Sequence, residues 1–272
     1  GYRCVVTEQV DNNVTVVGVH RCSCGLLSHA CHCMEFSLTA SFRRDAVSDL
    51  RTLAGMIRAV LFDLDDTLMD HTAALHAAVE EWLPGGHQQR FADIEKKWFA
   101  AYERGEVSHQ GQRVERCREF LGRPEMTEQE ALAEYDNYLA AYEKQWCAVE
   151  GAREILEYVL GLGLKVGVLT NGARKMQEGK LRAGGLDIPG VKLFPTVEMG
   201  HPKPQREAYL EACRRLGVEP GATLMVGDSL ANDVEGARAA GLKALHFDRA
   251  GHGDIAALSE LKQAKALREG RA

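Results

Sequence analysis

The feature that most constrains this chain is an apolar run that leads directly into a group of acids. Val60-Leu61-Phe62 is typical of a strand buried on both faces of a parallel sheet. Asp63 and Asp65 follow at the carboxyl end of that strand, where open α/β sheets bind their ligands. Burying two carboxylates together is costly unless a cation or a proton transfer uses them. The run therefore predicts an α/β fold with a magnesium site in which one carboxylate is a nucleophile.

An acid-rich strand end also has an ordinary explanation, because Asp favours turns and helix N-caps. Lys165–Leu169 predicts a second strand, which ends in Thr170, Asn171 and Gly172. A hydroxyl group and the backbone N–H groups of a strand-to-helix turn can bind a phosphoryl oxygen. The same residues also form ordinary helix caps, so this segment alone favours a turn.

Two later segments favour a functional site. Lys203 lies between two prolines that restrict its backbone, so its ammonium group can neutralise a carboxylate or a phosphoryl group; a solvated loop lysine is the alternative. Thr223–Val226 predicts another strand, which ends at Asp228, with Asp233 one helical turn later. Magnesium prefers a few carboxylates together with water and substrate oxygens. Asp228 would therefore join the acids of the first segment at one site.

In this order, FDLDDTL, LTNG, HPKP and GDSLAND resemble the four signature motifs of the haloacid dehalogenase superfamily of hydrolases. The resemblance covers roughly residues 56 to 250 and points to the phosphatase branch with an α-helical cap. It implies a Rossmann-like doubly wound core, Mg²⁺ dependence and hydrolysis of a small phosphorylated metabolite through an aspartyl phosphate. A phosphomutase, a dehalogenase or a non-catalytic binding protein of the same superfamily is the alternative.

The resemblance also implies a role for each motif residue. Asp63 would be the nucleophile, and Asp65 the general acid and then the general base. The Asp63 carboxylate, the Asp65 backbone carbonyl and Asp228 would hold Mg²⁺. Asp233 would orient Lys203 or a water molecule at the metal.

The phosphoryl group would be bound by Thr170 and Lys203, with Asn171 nearby. Relatives that cleave carbon–halogen bonds typically lack an acid two residues after the nucleophile. Asp65 stands at that position here, so the resemblance favours a phosphate ester over a halogenated acid.

The interval between the first two motifs has the apolar spacing of helices. We predict helices over Ala73–Trp82, Gln88–Arg104, Gln110–Leu121 and Thr127–Trp146. By the resemblance they form a cap that closes over the site and contacts the leaving group. Arg113, Arg116 and Arg118 share one of these helices; one of them could bind a leaving group, and a solvated charged face is the alternative.

The predicted domains follow from these assignments. Residues 56–72 with 148–250 form the catalytic core, 73–147 the helical cap, and 251–272 a C-terminal helix. Residues 1–55 do not fit the pattern, and we interpret them as a poorly ordered leader or a mis-extended start. Zinc at four of their cysteines is the alternative, although the C-x-C spacing is less typical of zinc sites than C-x2-C: Cys22, Cys24, Cys31 and Cys33.

Composition narrows the classes of partner. The formal net charge of −6 gives no electrostatic reason for nucleic acid to be a bulk partner. The sequence has no apolar run long enough to span a membrane and no recognisable secretory signal. We therefore expect a cytoplasmic enzyme.

Overall fold

The computed structural model describes residues 3–10, 14–21 and 57–263. The first two ranges are strands β1 (Arg3–Val10) and β2 (Val14–Arg21), which pair antiparallel as a hairpin. The hairpin belongs to a unit of its own, residues 1–41. The cysteines at 22, 24, 31 and 33 lie outside the described residues, so zinc binding stays a prediction, as does the interpretation of residues 1–55.

A five-stranded parallel sheet forms the centre of the second unit, in the order β5-β4-β3-β6-β7. Its strands are β3 (Ala59–Phe62), β4 (Lys165–Thr170), β5 (Val191–Pro195), β6 (Thr223–Gly227) and β7 (Lys243–His246). All of β3 is buried at the middle of the sheet, as its continuous apolar run requires. The predicted α/β fold is confirmed.

Helices connect the strands and also form an insertion after β3. They are α1 (His71–Trp82), α2 (Gln88–Glu103), α3 (His109–Leu121), α4 (Glu128–Glu143), α5 (Ala152–Gly161), α6 (Arg174–Ala183), α7 (Thr196–Met199), α8 (Arg206–Leu216) and α9 (Gly236–Ala239). A π-helical turn, Leu230–Glu235, leads into α9. Among the described helices we find no candidate for a membrane-spanning segment.

The sheet is covered on both faces because side chains alternate along a strand. Val60 and Phe62 of β3 pack in the apolar cluster that contains α5, and Ala59 and Leu61 pack in the one that contains α8. Each large apolar side chain buried in this way contributes roughly 1.5–3 kcal/mol relative to an exposed one. The two layers hold β3 rigidly, and its carboxyl end is where the acids begin.

Helices α1 to α4 form the predicted cap between β3 and β4. The start of α4 is a capping box, in which Thr127 and Glu130 satisfy each other's backbone N–H groups. The helix ends at Glu143 rather than Trp146, because the returning chain becomes extended: Met69 bridges antiparallel to Ala148. Two paired linkers therefore join the cap to the core.

The C-terminal segment differs from the predicted helix over 251–272. Residues 251–257 form turns, and a 3-10 helix covers Leu258–Gln263. The reason is that Ile255 bridges to Phe247 and donates its N–H to the His246 carbonyl. These contacts hold Ile255 itself extended between the turns, so a helix cannot pass through it. Residues 264–272 lie outside the described residues.

Candidate active site

Three neighbouring strands bring the predicted site residues to one edge of the sheet. β3 pairs in parallel register with both β4 and β6, and the three strands end within two residues of one another at this edge. Asp63 follows β3, Thr170 is the last residue of β4, and Asp228 follows β6. Side chains far apart in the sequence therefore meet at the carboxyl edge.

Three carboxylates meet at this edge around one buried ammonium group. Asp63, Asp228 and Asp233 each place an oxygen within 4.8 Å of the others. Lys203 Nζ donates to Asp63 Oδ1 at 2.6 Å and to Asp233 Oδ1 at 2.7 Å. The resemblance implies that Asp233 orients Lys203 or a water molecule. In the structure Asp233 binds Lys203 and also supplies an oxygen to the acidic cluster itself.

Burial shifts the proton affinities of this cluster. It raises the pKa of Asp63 well above its ordinary value, while Lys203 lowers that pKa in part. Burial, followed by repulsion from Asp233, raises the pKa of Asp228 to about 7. Burial would lower the pKa of Lys203, but Asp233 and Asp63 hold it above its ordinary value. One ammonium group faces an excess of carboxylates, so the donor set fits a divalent cation.

Backbone and hydroxyl groups fix the acids of this cluster. Thr67 is fully buried, accepts the Asp228 backbone N–H at 3.1 Å and lies 3.3 Å from Asp228 Oδ1. Ser229 donates its backbone N–H to Asp233 Oδ2 at 3.1 Å. Gly227 leaves room for Asp233, because a Cβ atom there would overlap the Asp233 carboxyl carbon. Thr67 belongs to the first motif but was not predicted as a site residue.

Asp65 lies apart from the acidic cluster and is held by α6. Lys180 Nζ donates to Asp65 Oδ1 at 2.5 Å, and Gln177 Nε2 donates to Asp65 Oδ2 at 3.1 Å. Gln177 Nε2 also donates to Thr170 Oγ1 at 2.6 Å. Burial would raise the pKa of Asp65, but Lys180 and His71 lower it to about 2. Asp65 is therefore an ionised carboxylate in this arrangement.

Asn171 fixes the backbone around Lys203. Its Oδ1 accepts from the Lys203 N–H at 2.8 Å and from Thr196 Oγ1 at 2.9 Å. Its Nδ2 donates to the Lys203 carbonyl and to Glu103 Oε1, both at 2.9 Å. Because these four bonds use the whole amide, Asn171 positions Lys203 rather than presenting a free donor.

Comparison with known proteins agrees with this geometry. A sequence profile of the family described as haloacid dehalogenase-like hydrolase matches residues 57–241, which include four of the five strands of the sheet, the cap and all the acids above. The chain belongs to this family. The resemblance carried by the four motifs is thereby confirmed.

Two curated proteins similar to this chain are phosphatases. The glyceraldehyde 3-phosphate phosphatase of Methanopyrus kandleri is 27% identical over 211 residues, 74% of this chain and 88% of that protein. The N-acetylmuramic acid 6-phosphate phosphatase of Pseudomonas aeruginosa is 31% identical over 199 residues, 69% of this chain and 80% of that protein. The match spans most of each relative.

Solved structures share the fold. The hydrolase YfnB of Bacillus subtilis, bound to magnesium, is 24% identical, with a TM-score of 0.66 over 76% of this chain and 97% of its own. Dehalogenases, one of them the L-2-haloacid dehalogenase of Xanthobacter autotrophicus, are also among the solved structures with this fold. At these identities the likeness concerns the fold alone.

The acids lie at the wall of a cavity between the core and the cap. It encloses about 590 Å³ and is lined from both sides. On the core side lie Asp63, Asp65, Thr170, Asn171, Lys203, Asp228 and Asp233. All the predicted site residues therefore line one cavity.

A buried ion network joins the cap helices at this cavity. His71 of α1 and Arg116 of α3 both bind Glu95 of α2, at 2.9 and 2.5 Å. Burial would lower the pKa of His71, but Glu95 raises it to about 9. Burial would raise the pKa of Glu95, but Arg116 and His71 lower it to about 2. The protonated His71 also donates to the Tyr142 hydroxyl at 2.6 Å.

The three arginines of α3 differ in position. Arg116 is buried in the ion network, Arg113 lines the cavity, and Arg118 donates to the Met126 carbonyl and to Glu115. The solvated-face interpretation is therefore wrong for Arg116. Arg116 shares a buried helix face with the apolar residues Cys117 and Phe120, and this spacing is the sequence pattern that could have indicated its burial.

Proposed function

We propose that the protein is a Mg²⁺-dependent phosphatase that hydrolyses a small-molecule phosphate monoester through an aspartyl phosphate on Asp63. The observation that carries this proposal is the contact of Lys203 with both Asp63 and Asp233, beside Asp228, in a cavity that the cap covers. A lone carboxylate would repel a phosphate group, whereas one flanked by an ammonium group and a cation site can approach it.

Different residues attack the phosphorus atom and bind the phosphoryl oxygens. Asp63 attacks phosphorus with the carboxylate that Lys203 holds, and Lys203 also neutralises the phosphoryl oxygens. Thr170 accepts a hydrogen bond from Gln177, so its own O–H remains to donate to the phosphoryl group. Asn171 contributes through the backbone of Lys203.

Asp63, Asp228 and the Asp65 backbone carbonyl would hold Mg²⁺, with Asp233 close enough to orient the site. When bound, Mg²⁺ neutralises charge on the attacking carboxylate and the phosphoryl group. Burial, followed by repulsion from Asp233, raises the pKa of Asp228 to about 7, and a cation beside this carboxylate would offset both effects.

Asp65 takes the acid–base role in this proposal. As leaving-group acid it needs a proton, and as a base it needs to be ionised, the form that its pairing with Lys180 favours. The base step on the hydrolytic water thus fits the observed pairing directly. For the acid step, Asp65 carries a proton and is released from its short contact with Lys180; the base step returns a proton to Asp65 from the hydrolytic water.

Phosphatase activity is better supported than the alternatives. The relatives from M. kandleri and P. aeruginosa act on phosphorylated small molecules. A dehalogenase needs neither the acid at Asp65 nor the acidic cluster, and both are in place here. A binding protein would not need a nucleophile held 2.6 Å from a buried lysine. A phosphomutase differs only in the fate of the aspartyl phosphate.

The test is hydrolysis of para-nitrophenyl phosphate by the purified protein, with Mg²⁺ or with a chelator, beside the Asp63→Asn variant. We expect turnover that needs Mg²⁺ and is lost in the variant. Thermal unfolding with and without Mg²⁺ reports binding independently, because a ligand of the folded state raises the Tm. Turnover unaffected by the chelator, or retained by the variant, would contradict the proposal.

A further inference from the structure

The cap side of the cavity carries a cation that none of the described residues neutralises. Arg113 lines the cavity, and its guanidinium carbon lies 5.7 Å from the centre of the Tyr135 ring. Within the described residues, Arg113 has that ring contact but neither an ion pair nor a hydrogen bond from its side chain. Arg116, by contrast, already pairs with Glu95.

The ring contact leaves the guanidinium group free to bind. A cation–π contact holds the planar group over Tyr135 without using its N–H donors. Arginine presents five such donors in a fork that matches a carboxylate or a phosphate. Arg113 is therefore oriented and still has its donors available.

The surroundings of Arg113 are electropositive. His109, one turn earlier on α3, also lines the cavity, and burial followed by Arg113 and Arg116 lowers its pKa to about 4. His109 is thus neutral at pH 7 and does not compete for an anion. Lys96 of α2 lines the same cavity and has no carboxylate partner in the described part of the chain.

Buried polar atoms beside Arg113 also lack partners among the described residues. Among the atoms of this kind that line the same cavity are Gln112 Oε1 and the Tyr138 hydroxyl, on side chains 2% and 1% exposed; Arg116 Nε and Gln177 Oε1 are the others. Gln112 Nε2 donates to the His109 carbonyl at 2.9 Å, so the atom of this amide without a partner, Oε1, is an acceptor. Buried polar atoms without partners are costly, and here a bound molecule can supply them.

We propose that the substrate carries a second anionic group, a carboxylate or a phosphate, which Arg113 binds at the cap side of the cavity while Gln112 accepts a hydrogen bond from a neighbouring hydroxyl group. This inference rests on the proposed phosphatase function and adds the chemical class of the leaving group. The acids of the core repel an anion from their own side, whereas the cap side attracts it.

Two matched substrate pairs test the inference. The first is 3-phosphoglycerate and glycerol 3-phosphate, which differ by a carboxylate. The second is fructose 1,6-bisphosphate and fructose 6-phosphate, which differ by a phosphate. We expect the anionic member of at least one pair to have the higher kcat/KM, and the pair that shows the preference identifies the group.

The variant Arg113→Gln should reduce that kcat/KM preference by roughly tenfold to a hundredfold, as expected for loss of a charged hydrogen-bonded contact. Arg118→Gln is the matched control, because Arg118 lies on the same helix and binds Glu115 and Met126. It should leave the preference unchanged. Equal hydrolysis within both pairs, or a preference that Arg113→Gln retains, would overturn the inference while the phosphatase function stands.

Calorimetric binding to the Asp63→Asn variant separates the two proposals. If the wild-type protein hydrolyses nothing but the variant binds the anionic member of a pair at least tenfold more tightly, the anion site stands and the phosphatase function fails. If neither hydrolysis nor preferential binding is found, both fail.

Discussion

Lys203 couples the stability of this protein to its chemistry. The ammonium group is 2% exposed and contacts Asp63 and Asp233, neither of which has another cation as close among the described residues. Charges buried this deeply are tolerated only while they are paired. The residue proposed to bind phosphate is thus also the cationic partner of two buried acids.

Replacing Lys203 by Met keeps much of its volume and removes its charge. We expect Lys203→Met to lower the free energy of unfolding by about 3–5 kcal/mol, because two buried carboxylates lose their partner. Urea denaturation measures the loss. Lys192→Met, at an exposed lysine, is the control and should change the free energy by less than about 0.5 kcal/mol. A loss no larger than that of the control would show that Lys203 does not compensate these acids.

The link between β6 and α9 shows what one element contributes. Gly227 ends the strand, Asp228 enters the cavity, and the π-helical turn brings Asp233 back against Gly227. A side chain at 227 would occupy the space that the Asp233 carboxyl group fills. The glycine is needed for close approach rather than for an unusual backbone angle.

Gly227→Ala should therefore displace Asp233 and release Lys203. We expect a loss of stability of about 1–3 kcal/mol from overpacking and weaker binding of Mg²⁺. Denaturation and a Mg²⁺-dependent Tm shift measure the two effects. Gly221→Ala is the control, because a Cβ atom there meets nothing within 4 Å. Equal behaviour of the two variants would contradict the argument.

The cap helices should confer a pH-dependent stability through His71. Its pKa is about 9 in the folded protein against an ordinary 6.5, so its pairing with Glu95 stabilises fully below 6.5 and is lost as the pH rises through 9. A shift of this size corresponds to on the order of 3 kcal/mol. The lowered pKa of Glu95 reflects the same pair and is not added.

Unfolding free energies measured below pH 6.5 and above pH 9 test this. The wild-type protein should be less stable at the higher pH, and His71→Asn should lose most of the difference. His201→Asn, at an exposed histidine, should keep it. If His71→Asn retains the full difference, another group causes it.

The elements differ in how far the sequence predicts them. Three of the four motifs were predicted together with their strands because each combines an apolar run with polar groups at its end, whereas Lys203 was predicted from the two prolines that flank it. Lys180 and Gln177 were not, because the α6 sequence RKMQEGKLRA resembles a solvated charged helix. Lys180 is buried only because Asp65, 115 residues earlier, lies opposite it. Such a pairing is decided by the tertiary fold and leaves no local signal.

At the scale of the whole molecule, Glu103 links the cap to the core. Its Oε1 accepts from Asn171 Nδ2 at 2.9 Å and from Asn232 Nδ2 at 2.7 Å. Asn171 follows strand β4, and Asn232 lies in the π-helical turn after β6. The cap could be predicted from the sequence, but this contact could not, because nothing in the sequence distinguishes Glu103 from the many other acids on the cap helices. This contact helps to hold the cap against the core.

Removing this contact should let the cap open more often. We expect Glu103→Ala to increase hydrogen exchange at the C-terminal end of α2 and to raise KM more than it lowers kcat. Glu106→Ala is the control, since Glu106 contacts only Arg104 among the described residues. Unchanged exchange in Glu103→Ala would show that other contacts keep the cap closed.

The central claim is that Asp63 becomes phosphorylated during turnover. Acid quenching of the Mg²⁺-loaded protein with substrate, followed by borohydride reduction and peptide mass spectrometry, tests it most directly. The account predicts that an aspartyl phosphate, read out as a reduced residue, is found at Asp63 and is absent from Asp63→Asn. Turnover with the modification at another acid, or with none under conditions that trap acyl phosphates, would contradict it.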